Sequence, residues 1–129
     1  MNGDESERLS VGIVGFGRIG AEHARWLSAA ANIRPAAVFD PTPARAALAQ
    51  QRGLHAFATL DALLEDPAID IILVSSPTAM HFDEAAAALR AGKHVMIEKP
   101  MALDGSQARQ LIDLAESHRR VLSVFHNRR

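Results

Sequence analysis

The fold is decided by one stretch near the start of the chain, Val11-Gly12-Ile13-Val14-Gly15-Phe16-Gly17-Arg18-Ile19-Gly20. Its apolar first part predicts a buried strand, and the glycines predict a tight turn into a helix. Gly15 permits the turn, Gly17 lets the backbone approach a pyrophosphate, and Gly20 lets the helix pack closely on the strand. Free N–H groups at the helix start would face that anion. The predicted dinucleotide contacts here are Gly15, Phe16, Gly17, Arg18, Ile19 and Gly20.

Composition limits the class of protein. The chain has 129 residues, a formal net charge of −1 and no cysteine. One domain of this length buries a real core, and the charge favours neither nucleic acid nor an anionic membrane surface. The absence of cysteine excludes disulfides and thiolate chemistry and fits a reducing compartment, so we expect a cytoplasmic protein. Residues 1–8 are polar and are predicted to form a disordered leader, and no apolar run is long enough to span a membrane.

Strand and helix patterns alternate along residues 9–129. Strands are predicted over 9–14, 36–39, 55–58, 69–74, 94–97 and 121–125, and helices over 18–30, 43–52, 79–91 and from Asp104 to 119, with a short one between 59 and 67. This alternation predicts right-handed βαβ units and a parallel sheet. We therefore expect one α/β domain, a doubly wound Rossmann sheet of order 3-2-1-4-5-6 with helices on both faces.

The residues with chemical potential follow the predicted strands, where ligands bind in such sheets. Asp40 ends the second strand, twenty residues after Gly20, and its carboxylate can accept hydrogen bonds from both adenosine ribose hydroxyls. A 2′-phosphate beside Asp40 would be repelled by roughly 1–4 kcal/mol. Arg45, early in the next helix, would partly offset that repulsion. The sequence therefore favours NAD over NADP, without excluding NADP.

The loop Ser75-Ser76-Pro77-Thr78 follows the most apolar strand, next to the glycine turn. Its short polar side chains and amides can line the ribose and phosphates of a cofactor, and Thr78 is also expected to cap the following helix. His81, in the first turn of that helix, is a candidate for cofactor or substrate contact, although a structural role is the commoner one for such a histidine.

Lys99 stands between Glu98 and Pro100 at the end of an interior strand. An ammonium group at this point can donate a hydrogen bond to a substrate oxygen and polarise the carbon that exchanges hydride. Taken from the residues alone, a surface lysine remains the alternative interpretation.

Several motifs together resemble one family. Gly15-Phe16-Gly17-Arg18-Ile19-Gly20 with His23, Pro77-Thr78 with His81, Gly92-Lys93-His94-Val95, and Glu98-Lys99-Pro100 occur in one order and spacing. They resemble the N-terminal half of the glucose–fructose oxidoreductase / inositol dehydrogenase / rhizopine catabolism (Gfo/Idh/MocA) family. The closing Asn127-Arg128-Arg129 also resembles that family's stretch after its sixth strand.

The resemblance implies an NAD(P)-dependent oxidoreductase that acts on a sugar, an inositol or a similar polyol or keto compound. It implies that Lys99 assists hydride and proton transfer, that Glu98 and Asn127 lie near the cofactor, and that the Lys99–Pro100 bond is cis. Family members continue into a second domain that supplies most substrate contacts and usually the oligomer interface. We therefore expect this chain by itself to be inactive, and a homo-oligomer only together with that domain.

Two other functions remain open at this point. The chain could be a stand-alone dinucleotide-binding or redox-sensing module without turnover. The glycine loop could also hold a mononucleotide or a flavin, although Asp40 and the Glu98-Lys99-Pro100 triplet argue against that.

Overall fold

The computed structural model describes residues 8–125, which form one six-stranded sheet and five helices. The strands are β1 (Leu9–Val14), β2 (Ile33–Phe39), β3 (His55–Ala56), β4 (Ile71–Val74), β5 (His94–Glu98) and β6 (Leu122–Phe125). The helices are α1 (Arg18–Ser28), α2 (Pro43–Gln51), α3 (Leu60–Glu65), α4 (Thr78–Arg90) and α5 (Gly105–Ser117). None of the helices in this part of the chain is long and apolar enough to cross a membrane.

All neighbouring strands are parallel, and their order is β3-β2-β1-β4-β5-β6. The predicted doubly wound topology is therefore confirmed. Val14, the last residue of β1, pairs with Phe39 on β2 and with Val74 on β4. The loops that follow these three strands therefore meet at one edge of the sheet, where the strand order reverses.

Helices cover both faces of the sheet, and each face has its own core. On β4, Ile71 and Leu73 pack into the core beneath α1 and α2, while Ile72 and Val74 pack into the core beneath α3, α4 and α5. Both faces of the strand are apolar because both are covered, as expected for a parallel sheet. The central strands thus fix the position of the loops at their carboxyl ends.

The element boundaries differ from the predicted ones by a few residues. β4 begins at Ile71 rather than 69, because the Ile69 amide closes a turn onto the Asp66 carbonyl. Asp70 uses its carboxylate to accept a hydrogen bond from the Ser10 amide at 2.8 Å. α1 ends at Ser28 and β3 has only two residues. The predicted leader lies outside the described residues except for Arg8, and Asn127 lies outside them entirely.

Lys93 lies at the opposite end of the sheet, where the strands begin, and joins two backbone segments there. Its buried ammonium group donates hydrogen bonds to the carbonyls of Asp66 at 2.7 Å and Ile69 at 2.6 Å. Burial lowers the pKa of Lys93, and the nearby carboxylates of Asp66 and Asp70 oppose that effect. This part of the family motif therefore serves the fold, far from the edge where ligands bind.

Candidate functional site

Two glycines of the loop after β1 are required by the packing of the protein itself. Gly15 has a φ of +94°, and a Cβ atom there would lie 2.8 Å from the amide nitrogen of Ser76. A Cβ atom on Gly20 would lie 2.1 Å from the carbonyl oxygen of Gly15. Contacts this short with backbone atoms are not tolerated, so the tight turn and the close packing of α1 both depend on glycine.

Gly17 is different, because the protein leaves room for a side chain there. Its φ is −75°, which other residues adopt readily, and the nearest atom to an added Cβ would be Arg45 Cζ at 3.5 Å. That distance is an ordinary van der Waals contact. Gly17 is the N-cap of α1, where glycine is favoured over alanine. Contacts within the protein give no steric reason for glycine there, whereas a ligand lying against the bare backbone would.

Asp40 ends the strand next to the glycine loop and holds that loop in place. Its Oδ2 atom accepts a hydrogen bond from the Phe16 amide at 2.7 Å, and its Oδ1 atom accepts one from the Thr42 amide at 2.8 Å. Arg45 Nη1 lies 3.6 Å from the same carboxylate. The Asp40 side chain is buried among these partners. Since each carboxylate oxygen has two lone pairs, both oxygens retain one for a further donor.

Ser75 ties the loop after β4 to the glycine loop. Its hydroxyl donates a hydrogen bond to the Gly15 carbonyl at 2.8 Å, and its amide donates to the Val14 carbonyl at 2.9 Å. These two hydrogen bonds join the loops directly to each other.

A cavity of about 710 Å³ opens between these loops. Ten of the residues predicted to bind a cofactor line it: Gly15, Gly17, Arg18, Ile19, Gly20, Asp40, Arg45, Ser75, Ser76 and Pro77. The lining also includes residues that the sequence did not single out: Val14, Phe39, Pro41, Thr42, Met80 and Glu84. The volume suits a nucleotide-sized ligand.

Other predicted residues lie outside this lining. Phe16 has its side chain fully buried in the core beneath α1, so only its backbone faces the loop. Thr78 does not cap α4 as predicted: it is the first helical residue, and Pro77 occupies the N-cap position without a side-chain hydrogen bond. Proline fits there because its fixed φ suits the extended residue before a helix.

Glu84 is a site residue that the sequence analysis missed. It is buried on α4, lines the cavity and accepts a hydrogen bond from the Ser76 hydroxyl. Burial raises the pKa of Glu84, and the Ser76 hydroxyl and His81 oppose that effect. The available signal was a carboxylate just before the run Ala85–Ala88, on the side of the helix that packs against the sheet.

Replacing Glu84 with Gln is expected to stabilise the protein at neutral pH but not in acid. The unfolded chain keeps the ordinary pKa of 4.5 and the folded chain has a higher one. Below pH 4.5 both states are protonated; as the pH rises toward the folded pKa, the native protein loses about 1.4 kcal/mol per unit of pKa difference. Gln cannot ionise, so the variant avoids this loss.

Urea unfolding of both proteins between pH 4 and pH 8 measures this effect. The Glu84→Gln advantage should grow with pH and then level off above the folded pKa. Glu116→Gln, at an exposed position of α5, is the matched control and should show no such trend. A difference between Glu84→Gln and the native chain that stays constant with pH would contradict the prediction.

His81 is buried between two loops rather than exposed to the cavity. Its Nδ1 atom lies 2.9 Å from the Pro100 carbonyl oxygen and its Nε2 atom lies 2.8 Å from the Ser76 carbonyl oxygen. Carbonyl oxygens only accept hydrogen bonds, so both contacts are satisfied together only when both ring nitrogens carry a proton. His81 therefore joins the loop after β4 to the turn after β5.

The turn after β5 carries Lys99, which is exposed. The Lys99 amide donates a hydrogen bond to the Phe125 carbonyl at 2.9 Å, and the Lys99–Pro100 bond is cis, as the resemblance implied. The preceding residue, Glu98, has its Oε2 atom 3.1 Å from Nε2 of the buried His23 on α1. Lys99 thus lies at the same edge of the sheet as the cavity but does not line it.

Several known proteins are similar to this chain. Residues 9–126 match the model of an oxidoreductase family with an NAD-binding Rossmann fold. The chain is 37% identical to UDP-N-acetylglucosamine 3-dehydrogenase of Acidithiobacillus ferrooxidans, over 94% of this chain and 38% of that protein. It is 38% identical to inositol 2-dehydrogenase/D-chiro-inositol 3-dehydrogenase of Lactiplantibacillus plantarum, over 93% of this chain and 36% of that protein.

A solved structure is similar as well. The crystal structure of an NAD-binding protein from Listeria innocua superposes with a TM-score of 0.89 at 32% identity, covering 91% of this chain and 35% of that one. The chain thus spans somewhat more than a third of the length of these proteins.

Proposed function

Because this chain belongs to the Gfo/Idh/MocA oxidoreductase family, of which it is an NAD-binding Rossmann domain, we propose that it supplies the cofactor half of a dehydrogenase. The proposed reaction moves hydride between the cofactor and a carbinol or keto carbon of a sugar, an inositol or a related polyol. The names of two relatives, a nucleotide-sugar dehydrogenase and an inositol dehydrogenase, support this substrate class. We also propose a cytoplasmic location, which the absence of cysteine supports.

The observation that carries the proposal is the bare backbone at Gly17. The chain has room for a Cβ atom at this position and yet keeps glycine, directly before the first turn of α1. A pyrophosphate that accepts hydrogen bonds from the N–H groups at this helix start would occupy that room. NAD bound here supplies the hydride-accepting carbon of its nicotinamide ring.

Asp40 is proposed to recognise the adenosine ribose. Asp40 lines the cavity, and each of its oxygens accepts one hydrogen bond from the backbone. Each oxygen therefore retains one lone pair, with which the carboxylate can accept hydrogen bonds from the two ribose hydroxyls. A 2′-phosphate would meet the same negative charge, while Arg45 at 3.6 Å only partly neutralises it. We therefore expect NAD(H) to bind more tightly than NADP(H).

Lys99 is proposed to act on the substrate. Its ammonium group extends from the turn after β5, at the end of the sheet where the nicotinamide would lie if the pyrophosphate lies on α1. It would donate a hydrogen bond to the reacting oxygen and stabilise the negative charge that develops there.

Titration of the chain with NADH tests the proposal. Gly17→Ala is expected to lower the free energy of unfolding by no more than about 1 kcal/mol, because alanine is a poorer N-cap than glycine. It should weaken NADH binding by roughly tenfold or more, because the added methyl group would occupy the proposed position of the phosphates. Gly105→Ala is the matched control, because a Cβ atom there would have no neighbour within 4 Å. NADH bound equally well by Gly17→Ala and the native chain, or NADPH bound more tightly than NADH, would overturn the corresponding part of the proposal.

A further inference from the structure

We propose that His23 and His81 are positioning residues that hold the Lys99 turn from its two sides. His23 acts through Glu98 and His81 acts through Pro100, the two residues that flank Lys99 in the chain. The inference rests on the proposed function, in which the Lys99 ammonium group meets the nicotinamide end of the cofactor. Neither histidine lines the cavity.

His81 fixes the far side of the turn. Its ring spans from the Ser76 carbonyl to the Pro100 carbonyl, with contacts of 2.8 Å and 2.9 Å, and is almost completely buried. Ser76 lines the cavity and its neighbour Ser75 holds the glycine loop. His81 therefore fixes the position of Pro100 relative to the loop that lines the cavity.

His23 fixes the near side. Its ring packs edge-on against Trp26, with 5.3 Å between centroids, and against Phe125, with 5.2 Å between centroids. In the orientation that these contacts favour, Nε2 lies 3.1 Å from the Glu98 carboxylate. His23 lies on α1, the helix whose first turn begins the proposed pyrophosphate site. Helix α1 would thus help to position the groups at both ends of the cofactor, the pyrophosphate site and the Lys99 turn.

Lys99 itself makes few contacts that would fix its position. Its side chain is exposed, and within the described residues its backbone is held to the sheet by the hydrogen bond that the Lys99 N–H donates to the Phe125 carbonyl. A long lysine side chain has many rotamers, so the accuracy of its ammonium group depends on the accuracy of its Cα atom. A displacement of about 1 Å costs roughly a hundredfold in rate at a reacting centre.

Lysine-selective ¹³Cε labelling tests the inference in the chain itself, because Lys93 and Lys99 are its only lysines. The nicotinamide ring is cationic in NAD⁺ and neutral in NADH, so the Lys99 signal should differ between the two complexes while the buried Lys93 signal should not. His23→Leu and His81→Leu should each reduce that difference by roughly half or more, because electrostatic effects fall with distance. His23→Gln keeps a donor near Nε2 and should restore most of it.

Amide exchange of Lys99 in the free chain provides a readout that needs no cofactor. The leucine variants should speed this exchange by roughly tenfold or more. His55→Gln, at an exposed position on β3, is the control and should change neither measurement. The NADH dissociation constant should stay within about twofold in the His23 variants, because Glu98, Trp26 and Phe125, the partners of His23, do not line the cavity. If His81→Leu does not fold, the His23→Leu and His23→Gln pair decides.

The outcomes separate the two ideas. Equal Lys99 signals with NAD⁺ and NADH in the native chain would overturn the proposed role of Lys99, and the exchange rates would still decide whether the histidines hold the turn. A full signal difference and unchanged exchange in both leucine variants would overturn the positioning role and leave the proposed function standing.

Discussion

Gly20→Ala is expected to destabilise the domain by about 2–4 kcal/mol and to remove NADH binding with it. A Cβ atom at this position would lie 2.1 Å from the Gly15 carbonyl oxygen, which is a backbone atom of the loop itself. Relief of such an overlap costs roughly 1–3 kcal/mol. The same shift would break the 2.8 Å hydrogen bond from Ser75 to that carbonyl, worth about 1 kcal/mol more.

Urea unfolding and NADH titration measure the two effects. For a domain of this size the midpoint should fall by about 1–2 M. Gly105→Ala, where an added Cβ has no neighbour within 4 Å, should stay within about 0.5 kcal/mol of the native chain. The contrast with Gly17→Ala is informative, because that variant should lose NADH affinity with at most about 1 kcal/mol of lost stability. A Gly20→Ala protein of native stability would show that α1 can move away from the loop at little cost.

Lys99→Ala is expected to lower kcat by roughly 10²–10⁴-fold. The protein to assay is the product of the complete reading frame that contains this chain, with an inositol or a nucleotide sugar as substrate. The substitution removes the donor proposed for the reacting oxygen, where charge develops only as hydride moves. The dissociation constant for NADH should stay within about twofold, because Lys99 does not line the cavity.

Steady-state kinetics together with the NADH titration check this prediction. Arg90→Ala removes a cation from the exposed end of α4 and is the control for a general loss of positive charge. It should leave both kcat and NADH affinity unchanged. A Lys99→Ala protein with native kcat would exclude the assigned role, and one that also loses NADH would show that the turn forms part of the cofactor site.

The topology and the glycine loop could be predicted because they follow from local rules. Alternating strands and helices fix a parallel sheet, and Gly15 and Gly20 are required by backbone contacts that any such loop makes. The position of Asp40 also followed from its distance along the chain. Its hydrogen bonds to the Phe16 and Thr42 amides did not, because they depend on how the loop closes over the strand end.

The roles of Glu84 and His81 could not be predicted, because they arise from packing between separate elements. Glu84, in the second turn of α4, contacts Ser76 in the loop before that helix. A carboxylate in a helix looks the same in sequence whether it is buried or exposed. His81 was a candidate for cofactor contact, whereas both of its ring nitrogens face backbone carbonyls. The sequence spacing brought His81 near the site, but only the tertiary contacts assign its partners.

Asp40 also holds the glycine loop, beside its proposed contact with the ribose, and this limits how the domain can change its cofactor. Exchange of the carboxylate for a small neutral residue is the simplest route to acceptance of a 2′-phosphate. Here that exchange would also leave the Phe16 amide without its hydrogen-bond acceptor, which now lies 2.7 Å away. An unpaired buried donor costs about 1–3 kcal/mol. A lineage that changes from NAD to NADP would therefore need a second mutation to restore the contacts of the glycine loop. Its evolutionary path would pass through a less stable intermediate.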